Sequence, residues 1–166
     1  MRFVLLDRIV ALEPGVKITA VKNLSLAEEY LADHFPGFPV MPGVLMLEAM
    51  TEAGAWLVRK SEDFAHSVVV LSQANNVKYG QFVEPGQTLT VSAEMIGQND
   101  EETKIKARGM VEGRLTLAGR LTLRRYNLAG SRPDGAIADE QLREEMRKLF
   151  ALLYQPDPRW APVANS

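Results

Sequence analysis

The chain holds two histidines and no cysteine. Thiolate nucleophiles, disulfides and cysteine metal sites are therefore excluded together. One histidine, His34, opens the segment HFPGFPVMPG, and Glu48 is the one carboxylate in the first two turns of the apolar run that follows it. A carboxyl group among apolar neighbours is costly unless it is paired or used. Burial there raises its pKa and lets it hold a proton near neutral pH. An imidazole and a protonated carboxyl group make a base and an acid with usable pKa values. Gly43 adds a backbone N–H at a helix N-terminus, a donor with no helical acceptor at the positive end of the dipole. Such a donor can receive charge developing on a carbonyl oxygen, and a glycine leaves room for a substrate to approach. Each residue also has a plainer reading: a packed histidine beside a loop, a glutamate at a helix edge, a Pro-Gly helix start. What favours chemistry is that all three fall within one short stretch. A zinc site has little support, because His34 and His66 lack ligand spacing. His66 reads as an ordinary loop residue.

These groups need rigid elements behind them. Three prolines and two glycines in the ten residues from His34 to Gly43 forbid regular structure, so the segment reads as a rigid, irregular loop. The run VLMLEAMTEAGAWLVRKS then reads as one long helix. Val44, Leu45, Leu47, Met50, Ala53, Trp56 and Leu57 surround it almost completely, the mark of a buried helix. Pro42 and Gly43 stand where such a helix begins.

Before the loop, residues 3–12 and 16–23 flank the turn Glu13-Pro14-Gly15 and predict an opening hairpin, followed by a short helical turn or loop over 25–32. After the helix the period becomes two. Residues 68–79, 87–98, 103–113 and 114–126 read as three or four long strands in a meander, with turns at Glu84-Pro85-Gly86, Asn99-Asp100 and Glu112-Gly113. No strand–helix–strand alternation appears, so a parallel sheet is not expected and the class is α+β. A linker over 129–136 leads to an amphipathic helix over 137–154. Leu142, Met146, Leu149, Phe150 and Leu153 share one of its faces, and Asp134 or Asp139 would cap it. The proline-rich tail reads as irregular.

The bulk properties fit one globular unit able to bury a core. A net charge of −2 argues against a nucleic-acid binder driven by bulk charge. The apolar start MRFVLLDRIV is broken at Asp7 and Arg8, too early for a signal-peptide core or a membrane span. A cytoplasmic protein without membrane contact is expected.

HFPGFPVMPGVLMLEAM, His34 to Met50, closely resembles the signature of the bacterial 3-hydroxyacyl-(acyl carrier protein) dehydratases of fatty-acid synthesis. That signature runs His-Phe-Pro-Gly-x-Pro-x-x-Pro-Gly, four variable residues, then Glu or Asp followed by Ala-Met. The carboxylate falls fourteen residues after the histidine, as Glu48 does after His34. VKYGQFVEPGQTLTV (77–91) resembles the strand, basic residue and Pro-Gly turn of the same family. The resemblance covers residues 1–127 and stops short of the last helix.

It implies a hot-dog fold, an antiparallel sheet wrapped around one long helix, with residues 1–128 as the dehydratase domain and 129–166 as a helical extension and tail. It implies loss of water from a (3R)-3-hydroxyacyl thioester on acyl carrier protein, with no cofactor. His34 would be the base, Glu48 the acid, Gly43 the oxyanion N–H, and the carbonyl of Val40 the group orienting the histidine. His34 and Glu48 would come from opposite protomers of a homodimer, alone or in a trimer of dimers. Leu47 and Met50 are candidates for an acyl tunnel, with plain core as their other role. Asp33 replaces a common glycine and Glu52 a glutamine, departures that bear on substrate choice and rate. A hot-dog thioesterase and a non-catalytic acyl-binding subunit are the competing readings. The extra helix would cover a sheet face, cap the tunnel or bind a partner.

Overall fold

The computed structural model describes residues 4–160. Strands β1 (Arg8–Glu13) and β2 (Lys17–Asn23) form the opening hairpin. A 3-10 turn at Glu29–Ala32 and the proline loop lead into helix α1 (Gly43–Ser61). Four strands follow: β3 (Val68–Tyr79), β4 (Thr88–Gln98), β5 (Glu102–Val111) and β6 (Arg114–Tyr126). Helix α2 (Gly135–Leu153) closes the order, two residues ahead of the expected start. Met1 to Phe3 and the last part of the predicted tail, 161–166, lie outside the described residues.

All six strands join one antiparallel sheet in the order β1-β2-β4-β5-β6-β3. The expected meander is therefore only three strands long. β3 pairs with β6, Val68 opposite Tyr126 and Leu71 opposite Leu123, and not with β4. Alternating polarity tells which face a residue occupies but not which strand lies beside it, so β3's place at the sheet edge could not be read from its pattern.

The sheet curls around α1, whose Met50, Ala53 and Leu57 are fully buried together with Ile105, Leu121 and Leu123 of the strands. Each large side chain so buried contributes about 1.5–3 kcal/mol. This is the hot-dog arrangement. The two sheet edges are treated differently. Beyond α2 the chain lies against β1: Tyr154 bridges Ile9, and the N–H groups of Gln155 and Asp157 donate to the carbonyls of Ile9 and Val10 at 3.0 and 2.9 Å. β3 has no second strand beside it among the described residues.

Candidate active site

The proline loop is held by its own backbone. Phe35 and Phe38 exchange N–H···O=C bonds of 3.1 and 2.9 Å around Gly37, whose φ of +80° suits glycine. The Val40 N–H donates to the His34 carbonyl at 3.0 Å, and the Met41 N–H to Val83 at 2.9 Å. Val40 and Met41 are both buried. This frame sets the histidine: Nδ1 of half-buried His34 lies 2.9 Å from the Val40 carbonyl. A carbonyl can only accept, so Nδ1 carries a hydrogen, and in the neutral imidazole Nε2 is the nitrogen with the lone pair. The imidazole stacks on the ring of Phe35, centroids 4.1 Å apart.

Pro42 is the N-cap of α1 and not its first residue. The N–H groups of Leu45 and Met46 turn back to its carbonyl, and Gly43 stands in the first turn, where N–H groups have no helical acceptor. Part of the room left by Gly43 is taken by a neighbouring side chain. A Cβ there would lie 2.7 Å from Cε1 of Tyr79, the last residue of β3. Sequence reasoning missed Tyr79 because nothing in a strand's pattern says which helix end its final ring will cover.

Glu48 lies on the wall of a cavity of about 440 Å³ between α1, β3 and α2. Its apolar lining includes Ala55, Trp56, Val69, Leu71, Met146 and Leu149. Contrary to expectation Glu48 is half-buried, because the cavity is open on one side of the chain. Glu52, one turn on, shares that wall. Its carboxylate accepts the N–H groups of Leu5 (2.9 Å) and Leu6 (3.1 Å), tying the N-terminal segment to α1. Burial pushes the Glu52 carboxyl above its ordinary value, and neighbouring Glu48 adds to the rise. The Leu5 and Leu6 N–H groups and Lys22 work the other way. At the far end Arg59 donates to the Ser67 carbonyl at 3.1 Å, and burial brings its guanidinium down to about 10.

Met50 is 0% exposed in the core, and neither it nor Leu47 lines the Glu48 cavity. Nor does His34. One chain thus presents an oriented histidine and a carboxyl-bearing apolar cavity as separate surfaces. His66, the second histidine, sets Nδ1 3.0 Å from Glu62. No group of three or more metal-ligating side chains gathers among the described residues. No helix among them is long and apolar enough to cross a membrane.

A helix-wrapping antiparallel sheet with this loop defines a protein of the hot-dog class, and solved structures agree on the fold. The chain is similar to the dehydratase heterocomplex ApeI:P from Xenorhabdus doucetiae, at 18% identity and a TM-score of 0.62, covering 75% of this chain and 84% of that one. It is also similar to a mutant thioesterase from Pseudomonas aeruginosa, at 16% identity and a TM-score of 0.58, covering 72% and 80%. At these identities the likeness speaks to fold alone. The FabA-like domain family matches residues 1–120, and the chain belongs to that family. Among curated relatives it is 37% identical over 119 residues to the 3-hydroxyacyl-(acyl carrier protein) dehydratase FabZ of Caldicellulosiruptor saccharolyticus, covering 72% of this chain and 85% of the relative. It is 38% identical over 117 residues to the FabZ of Pediococcus pentosaceus, covering 70% and 78%.

Proposed function

We propose that this chain is a cytoplasmic dehydratase that converts (3R)-3-hydroxyacyl thioesters on acyl carrier protein to trans-2-enoyl thioesters in fatty-acid synthesis, working as a homodimer. The observation that carries the reading is the commitment of His34 Nδ1 to the Val40 carbonyl, which leaves Nε2 as the nitrogen free to act as a base. Nε2 takes the α-proton of the thioester. The electron pair moves toward the thioester oxygen, steadied by the Gly43 N–H at the helix start. It then returns to form the Cα–Cβ double bond as the β-hydroxyl leaves. Protonated Glu48 gives that hydroxyl its proton, and water departs. The family membership, the curated names of the relatives and the spacing of His34, Gly43 and Glu48 support these roles.

The dimer is supported by the free edge of β3. A long unpaired edge strand invites pairing with another chain. Val70 and Tyr79 on it are 43% and 53% exposed, and Phe82 just beyond is 57% exposed. Pairing β3 with the partner's β3 would cover the open side of the Glu48 cavity and supply His34 of the partner subunit to Glu48. Residues 1–128 form the catalytic unit in this reading, and 129–166 an extension of it. The test is an assay of the purified protein with a 3-hydroxyacyl thioester, following enoyl absorbance and free thiol together. Enoyl formation is expected, lost by about a hundredfold or more in His34→Ala and in Glu48→Gln. Release of thiol without enoyl product would make the protein a thioesterase, and neither product would leave it an acyl-binding subunit.

A further inference from the structure

The family match ends at residue 120, yet α2, which begins at Gly135, supplies two of the side chains that line the Glu48 cavity, Met146 and Leu149. The helix is not loosely attached. Asp139, in its second turn, is 2% exposed, and its carboxylate accepts the Ser67 hydroxyl and the N–H groups of Leu128 and Ala129, the latter two at 2.8 Å. Further along, Phe150 packs against Trp56 and Phe64 with ring centroids 6.0 and 5.9 Å apart. Lys60 and Arg147 lie over the rings of Phe150 and Phe64. The chain then continues onto β1. Both ends of α2 are therefore fixed, and the half-buried pair between them packs against the edge of the core while also lining the open cavity.

The cavity runs along α1 from Glu48 past Trp56 to Arg59, eleven residues or about 16 Å at the helical rise. Glu48 marks the end where chemistry would take place. Met146 and Leu149 are contributed by a helix that the family match does not include.

We propose that α2 is one wall of the acyl-chain pocket and that Met146 and Leu149 set the chain length it accepts. This rests on the dehydratase reading for the identity of the occupant, an unbranched acyl chain whose thioester end lies at Glu48. Shortening these side chains lengthens the usable pocket, and enlarging them truncates it. Methionine and leucine add only apolar surface, so their effect falls on chain length and not on the acid/base step.

The experiment compares the full chain with Met146→Ala, Leu149→Ala, Met146→Trp and Leu149→Trp. Two readouts run on one series of chain lengths: kcat/KM for 3-hydroxyacyl-pantetheine thioesters, and affinity for unreactive S-alkyl pantetheine thioethers. Circular dichroism shows that each variant is folded, and the Trp variants keep the test open if an alanine variant is not. The alanine variants should shift the long-to-short preference upward by about tenfold and the Trp variants downward by a similar factor. An identical length profile in all folded variants overturns the proposal. If affinity shifts with length while no enoyl product forms from any substrate, the pocket stands and the dehydratase reading fails. If enoyl product forms and neither profile shifts, the reverse holds.

Discussion

At the scale of single residues the site depends on what each group is already committed to. His34 has one nitrogen spent on Val40, and Gly43 has part of its side-chain space taken by the ring of Tyr79. Gly43→Ala should therefore push that exposed ring aside, at a cost to stability below about 1 kcal/mol. Adding Tyr79→Ala should recover most of that loss, since it removes the colliding ring. A double-mutant cycle in urea checks it, and simple additivity of the two costs would count against the contact. Glu52 makes a second case. Its carboxyl is raised above the ordinary 4.5, first by burial and then by Glu48. The folded state thus keeps this proton to higher pH than the unfolded state, so its contribution is fully present below about pH 4.5 and fades as pH rises through the folded value. Glu52→Gln cannot titrate and should lack that decline. The Tm difference, variant minus wild type, should grow more positive from pH 4.5 to 7, and a constant difference would refute the assignment.

At the scale of elements, α2 shows how a polar anchor can hold an added helix. Asp139 was a plausible cap in the sequence, as was Asp134, yet neither side chain caps α2. Asp134 pairs with Arg132, while Asp139 gathers three donors from Ser67, Leu128 and Ala129. Burial alone would raise the Asp139 carboxyl, but those donors outweigh it and hold it below its usual range. Asp139→Ala removes the acceptor of three donors, one of them the buried Ser67 hydroxyl, and should cost about 1–3 kcal/mol, read as a lower urea midpoint with early loss of protection in amide exchange across α2. Unchanged exchange in α2 would mean that the helix is held elsewhere.

The strands themselves were legible, since β3 and β6 coincide with the alternating runs 68–79 and 114–126. The imprint of burial is clearest in β5, where alternate residues from Thr103 to Val111 are buried, while β3 buries only Val69 and was legible from its β-branched start and bounding turns. Neighbour relations leave no such imprint, which is why β3's edge position was not foreseen. The loop and the His34–Glu48 spacing were legible as chemistry because prolines and isolated charges are rare in such surroundings. The partial exposure of Glu48, the seat of Tyr79 on Gly43 and the role of α2 as cavity wall were not, since each arises from contacts distant in sequence.

At the scale of the whole molecule, the two edges of the sheet differ. The chain's own segment after α2 occupies the β1 edge, while β3 has no second strand beside it among the described residues and borders an open cavity. A symmetric dimer closing on β3 would carry two equivalent sites, each built from His34 of one protomer and Glu48 of the other. Light scattering should give twice the chain mass of 18.4 kDa, or a multiple of that dimer if further faces associate. The most direct test mixes two inactive variants, His34→Ala and Glu48→Gln, in equal amounts under conditions where subunits exchange. Every mixed dimer then holds one site with both groups intact and one with neither. Random pairing predicts about a quarter of wild-type enoyl formation from a mixture of two inactive proteins. A mixture that stays inactive although mass spectrometry shows mixed dimers would contradict a site shared between protomers.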